Sequence, residues 1–143
     1  MTLTAVRSFP RSFDSLEDIF AFTSEFFGRH GVDRDLLPTV DLVLEELFTN
    51  MVKYSPDGAP SIRLEMAPAP GGVEVSLTDY DVDRFDVTLA PDADVSLPLE
   101  ARKPGKLGLH LVRRLVDSLQ YEYSTERRES RTTFRKTGAR RTA

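Results

Sequence analysis

Leu44-Glu45-Glu46-Leu47-Phe48-Thr49-Asn50-Met51-Val52-Lys53-Tyr54-Ser55-Pro56 is the stretch on which the reading of this chain turns. Val40, Val43, Leu44, Leu47, Met51 and Val52 recur at the 3.6-residue period of an amphipathic helix, which is expected from about Asp35 to Tyr54. Ser55-Pro56-Asp57-Gly58 carries the turn chemistry that ends it. At about 100° per residue, Glu46, Asn50 and Lys53 fall in one narrow sector beside the apolar stripe. Glu46 and Asn50 are therefore expected to be partly buried and to need partners. A carboxylate and an amide so placed could hold a hard cation such as Mg²⁺ through oxygen and water, with Lys53 near phosphate. Spacing alone equally allows a solvated face on which Glu46 pairs with Lys53.

Working outward, Ile62, Leu64 and Met66 alternate, as do Val73, Val75 and Leu77, and Pro68–Gly72 between them predicts a hairpin. Upstream, Thr2–Phe9 reads as a first strand. Asp14 or Ser15 can cap a helix that contains Leu16, Ile19, Phe20, Phe26 and Phe27 and ends at Gly31. Downstream, Asp79–Lys106 has no clean period and carries Pro91, Pro98 and Pro104, which suggests a functional or mobile segment. A third helix is expected from Leu107 to about Ser118, then strands over Leu119–Ser124 and Arg131–Lys136. Three helices and about five strands predict an α+β fold, a two-layer α/β sandwich. Residues 1–143 read as one domain, with 137–143 as a disordered tail.

Composition removes several chemistries. The chain has 143 residues, 40% hydrophobic and 29% charged, and a net charge of −4, which fits one soluble domain. It has no cysteine, which excludes disulfides, thiolate zinc sites and cysteine nucleophiles. Two histidines, His30 and His110, are too few for a His-rich metal site. No apolar run is long enough to span a bilayer and Met1–Pro10 lacks the apolar core of a signal peptide, so a cytoplasmic location without membrane association is expected. The negative charge argues against direct nucleic-acid binding. Basic residues gather late, from Arg127 to Arg141, and the last few read as a solvated tail, or else as a surface for an anionic partner.

Two further signals concern ligands. Asp79 follows Val73, Val75 and Leu77 in strict alternation and so belongs on the core face. An ionised carboxylate there needs a donor, which an adenine amino group could supply. The alternative is that the strand ends at Thr78 and Asp79 starts a turn. Gly105-Lys106-Leu107-Gly108-Leu109-His110 opens the third helix, where glycines permit close approach and free N–H groups can meet phosphate. A plain Pro-Gly turn before a helix accounts for it as well. His110 reads as structural.

Taken together and in this order, these stretches resemble the GHKL (Bergerat-fold) ATPases. Glu46–Pro56 is similar to their N box, Asp79 to their adenine-reading aspartate and Gly105–His110 to the glycine box of their ATP lid. Thr132-Thr133-Phe134 resembles the closing strand, with Thr132 favoured as the threonine that assists the aspartate. Within that superfamily, Leu44-Glu45-Glu46-Leu47-x-x-Asn50, Phe85-Asp86 and Gly108–Asp117 are most similar to the anti-sigma-factor serine kinases of the RsbW and SpoIIAB kind. The resemblance implies ATP or ADP with Mg²⁺ as ligands. It implies a mostly antiparallel mixed sheet with three helices on one face, and a mobile lid. It also implies Glu46 as general base toward a protein serine hydroxyl and Asn50 as the Mg²⁺ holder. The expected partners are a STAS-domain anti-anti-sigma protein, a sigma factor or similar regulator, and a second copy in a homodimer. Two departures stand out. Asp81 occupies a position where the family usually has glycine, so it would adjoin the base, and Lys106 replaces a common lid glycine. A nucleotide-responsive binding module without efficient transfer is the first alternative. A detached histidine-kinase ATPase domain is the second, although no separate phospho-acceptor helix accompanies it.

Overall fold

Two periodicities build this molecule. The computed structural model describes residues 3–85 and 106–138, with Lys106 and Leu107 by their backbone alone. The order is β1 (Ala5–Pro10), α1 (Leu16–His30), α2 (Leu37–Tyr54), β2 (Ser61–Ala69), β3 (Gly72–Tyr80), α3 (Lys106–Leu115), β4 (Ser118–Ser124) and β5 (Glu129–Thr137). The five strands form one sheet in the order β1-β2-β3-β5-β4, and all four pairings are antiparallel.

Alternation sorts the sheet into two faces. Ile62, Leu64, Met66, Val73, Val75, Leu77 and Phe134 point into the core and are buried. The intervening positions carry charge, and Glu65 and Glu74 on this face meet Arg131 and Arg135 across strands. Val40, Val43, Leu44, Leu47 and Phe48 of α2 and Ile19, Phe26 and Phe27 of α1 cover the apolar face. Leu109 and Val112 of α3 complete the same core. This is the expected two-layer α+β arrangement.

Local chemistry sets the element ends. Gly31, at φ 63°, closes α1 with its N–H on the Phe27 carbonyl. Such a left-handed cap suits glycine. The Ser12 and Asp33 side chains each cap a short 3-10 turn ahead of α1 and α2; α1 begins at Leu16 with Ser15 at its N-cap, as expected, whereas α2 begins at Leu37, slightly later than the expected Asp35. Pro70 and Gly71 join β2 to β3, with Gly71 at φ 76°. Ser118, expected to end the third helix, instead opens β4 opposite Arg135. Asp117 turns there, its carboxylate accepting from the Thr137 N–H and hydroxyl. Among the described residues no helix is long and apolar enough to cross a membrane.

Candidate functional site

β3 remains in register to Tyr80, and Asp79 pairs with Ser130 of β5. Asp79 therefore belongs to the strand and not to a following turn, and it lies on the core face at 1% exposure. At this end of the sheet the apolar face becomes polar. Asp79, Ser130, Thr132 and Tyr121 form the floor of a cleft walled by Leu47, Asn50, Met51 and Tyr54 of α2. Val82 and Phe85 close another side. Counted to its open mouth, the cleft is about 420 Å³, a size suited to a small organic ligand.

The α2 side carries two of the residues singled out by sequence. Asn50 is buried, and its Nδ2 has no hydrogen-bond partner. An orphaned buried amide in a cleft wall is costly without a ligand or water to meet it. Glu46 lies one helical turn earlier and is half-buried. Its carboxylate rests against Gly108 in the first turns of α3, where any Cβ would overlap it. Its charge also reaches Tyr54, whose phenol is pushed up by burial first and by Glu46 second. Lys53 is exposed and does not line the cleft. Nor does Glu46 have Lys53 as an ion-pair partner.

Asp79 is the most strongly held member. Its Oδ1 accepts from the Arg11 Nη2 and from the Tyr80 N–H at 3.0 Å, and its Oδ2 accepts from the Arg11 Nη1 at 3.3 Å. The Asp79 carboxyl lies above its ordinary value: burial pushes it up most, Arg11 and the Tyr80 N–H pull it only part of the way back, and the charge of Asp81 adds to the upward push. Arg11 also donates to the Ala59 carbonyl at 2.8 Å and the Met51 carbonyl at 3.2 Å, so one guanidinium ties the end of α2 to β3.

Asp81 takes φ 57°, the left-handed region that favours glycine. Its side chain is exposed and lines the neighbouring groove with Asp57 and Asp83, not the Asp79 cleft. Asp81, expected to adjoin the base, thus lies outside the cleft that Asp79 lines, and its charge acts on Asp79. Thr132 lies in the cleft floor opposite Leu77, while Ser130 is the residue directly across from Asp79. Gly108, Leu109 and His110 fall within α3, with Leu109 buried in the core and His110 half-buried. Of Asp79–Lys106, expected to be a lid, Asp79 and Tyr80 instead belong to β3 and Lys106 to α3, while residues 86–105, Gly105 among them, lie outside the described residues, as do the side chains of Lys106 and Leu107 and the expected tail beyond Gly138.

Sequence reading missed Arg11, Ser130, Tyr121 and Tyr123. Ser130 shares the period-two alternation of Thr132 and Phe134 and was legible in principle. Tyr121 and Tyr123 donate their hydroxyl hydrogens or accept at the Val82–Phe85 segment: Tyr123 donates to the Val82 carbonyl at 2.7 Å and Tyr121 accepts from the Phe85 N–H at 2.9 Å. Arg11 follows a strand-ending proline and has no local signal.

A buried carboxylate on the central strand faces an orphaned amide on α2 across one cleft, and the Glu46 carboxylate, one turn earlier on α2, meets Gly108 of α3 on an α+β sandwich. The chain belongs to the histidine kinase-like ATPase domain family, whose family model matches residues 9–136. It is also similar to the serine-protein kinase RsbW of Halalkalibacterium halodurans, with 29% identity over 96 residues, 64% of this chain. The match spans 59% of that relative's length.

Membership of an ATPase-domain family implies a bound nucleotide, and the residues present suit one with a divalent cation. Among the described residues no group of three or more His, Cys, Asp or Glu could hold a metal by itself. Mg²⁺ commonly keeps several waters and takes one or two protein ligands plus substrate phosphates. The Asn50 amide oxygen, with Glu46 acting through water, would match that partial donor set, while the unpartnered Nδ2 is a donor and would meet a phosphate oxygen or water.

Proposed function

We propose that this chain is a protein serine/threonine kinase that binds Mg-ATP in the Asp79 cleft and phosphorylates a STAS-domain anti-anti-sigma protein. In this reading it acts in the cytoplasm as one ATP-binding domain, and sequesters a sigma factor or similar regulator when its partner is phosphorylated. The observation that carries the reading is the pairing on α2: a half-buried carboxylate, Glu46, one turn before the buried orphan amide of Asn50. Asp79 accepts the adenine amino group, with Thr132 beside it. Backbone N–H groups at the start of α3 face phosphate. Asn50 would hold Mg²⁺, which when bound offsets phosphate charge. Glu46 accepts the proton of the incoming serine hydroxyl. The hydroxyl oxygen bonds to the γ-phosphorus as the bond to the bridging oxygen breaks, and ADP departs. The name of the RsbW relative supports the same chemistry.

The test is transfer of labelled γ-phosphate from ATP to a STAS partner, with ADP affinity measured in parallel. An acid-stable product is expected, as for phosphoserine; an acid-labile one would point to phosphohistidine. Saturating Mg-ADP, at about 100 times its dissociation constant, should stabilise the fold by about 2.7 kcal/mol. No stabilisation by millimolar nucleotide and magnesium would remove the reading. The exposed charge of Asp81, just past the end of the β3 strand that carries Asp79, favours one alternative, a nucleotide-responsive module with little transfer. That outcome would appear as ADP binding without labelled product.

A further inference from the structure

We infer that Arg11 is a specificity-determining residue, which holds Asp79 as a fixed, acceptor-only carboxylate and so makes the cleft select a 6-amino over a 6-oxo purine. The inference rests on the nucleotide reading above and deepens it.

The geometry leaves little freedom. An ionised carboxylate offers about four acceptor sites. Arg11 takes one on each oxygen and the Tyr80 N–H takes a second on Oδ1. One site on Oδ2 is left for a ligand in the cleft. Arg11 itself is not among the residues that line the cleft, and its side chain is 6% exposed. It therefore acts from behind, through Asp79, and is a positioning residue. Its own position is fixed at three further points. Its Nε and Nη1 donate to the Ala59 and Met51 carbonyls, and the space beside its guanidinium is closed by Gly58, where a Cβ would overlap it.

The chemical consequence concerns which hydrogen-bond partner the base must bring. A carboxylate with one open acceptor site receives an exocyclic N–H and repels a carbonyl oxygen. Protonated, the same group could donate to a 6-oxo oxygen and the preference would fade. Without Arg11, burial in this pocket would favour the protonated form. The other titratable groups around Asp79 do not replace the cation. The described residues lining the cleft contribute Asp83, Tyr54 and Tyr121, and the adjoining turn contributes Asp81. None of these is basic; Arg128 is engaged by Asp83 at 3.2 Å and Arg84 lies over the Tyr121 ring, and neither lines the cleft.

The experiment compares binding of ADP and IDP with magnesium by calorimetry, from about pH 6 to about pH 8, for the parent, Arg11→Met and Arg11→Lys. Using the ratio of affinities cancels the titration of the phosphates. The parent should prefer ADP by roughly tenfold or more, as expected for a hydrogen bond to a charged group, with a ratio flat across the range. Arg11→Met should bring the ratio toward one, more so at the acid end. Arg11→Lys, which retains a cation without the fork, should keep a preference for ADP at neutral pH. A folded Arg11→Met with the parent's ratio and pH profile overturns the inference and leaves the nucleotide reading intact. Should Arg11→Met not fold, the parent decides. A parent ratio near one, or one that falls as pH drops to about 6, overturns it. A parent that binds neither nucleotide overturns both.

Discussion

The Glu46 carboxylate lies against Gly108, so that α2 and α3 meet where a carboxylate takes the place of a missing Cβ. Glu46 is the flexible end of its side chain and can swing away if crowded. Gly108→Ala should therefore leave stability within about 1 kcal/mol, because the better helix propensity of alanine offsets the displacement. Transfer should fall by about tenfold or more, since a base moved by 1 Å loses its alignment. Thermal unfolding and single-turnover transfer measured on the same preparation check this; parent-like transfer would show that the contact has no bearing on catalysis.

Glu46→Gln keeps the shape of the side chain and removes the base. Transfer should drop by about 10²–10⁴, with ADP affinity near that of the parent. Asn50→Ala should differ by losing the magnesium-dependent part of nucleotide affinity together with transfer. ADP titrations with and without magnesium separate the two. Equal effects of both variants on binding would remove the division of labour between them.

Asp79→Asn takes away the charge that Arg11 neutralises inside the protein. Breaking one side of a buried pair leaves an uncompensated charge, so the fold should lose about 3 kcal/mol and ADP binding should weaken. Asp83 is paired with Arg128 at 3.2 Å, yet its side chain is 93% exposed. Asp83→Asn should change stability by no more than about 0.5 kcal/mol. Urea unfolding of the two variants is the check, and similar losses in both would contradict the burial argument.

Asp41 joins α2 to Thr23 of α1, with Oδ1 2.6 Å from the Thr23 hydroxyl. That hydroxyl is also 2.9 Å from the Phe20 carbonyl, and its single hydrogen serves only one of them. Burial pushes the Asp41 carboxyl above 3.8 and the Thr23 hydrogen bond pulls it back. The folded form thus holds its proton more tightly than the unfolded chain. Its contribution is full below the unfolded value and is lost as pH rises through the raised folded value. Asp41→Asn keeps an oxygen that can accept from Thr23 and does not titrate, so its stability relative to the parent should grow with pH through that acid window and level off above it. Denaturant unfolding across the acid range tests the sign; a difference independent of pH would refute it.

The helix from α2, the alternating strands β2 and β3 and the face assigned to Asp79 were all legible from sequence, because periodicity decides which side chains face a common core. The ordered motifs likewise grouped Glu46, Asn50, Asp79 and Thr132, of which Asn50, Asp79 and Thr132 line one cleft. Other features depend on juxtapositions far apart in the chain. Arg11 reaches Asp79 across 68 residues, and no local pattern encodes which cation will meet a buried carboxylate. Lys53 shares the helical sector of Glu46 but is exposed, because helical angle fixes direction and not what lies opposite. Asp81 looked like a charge placed against the base, whereas its left-handed backbone turns the side chain outward. Pattern within an element determined the faces; burial of charge between elements, which costs free energy unless a partner arrives, was decided only when the sheet and helices closed together.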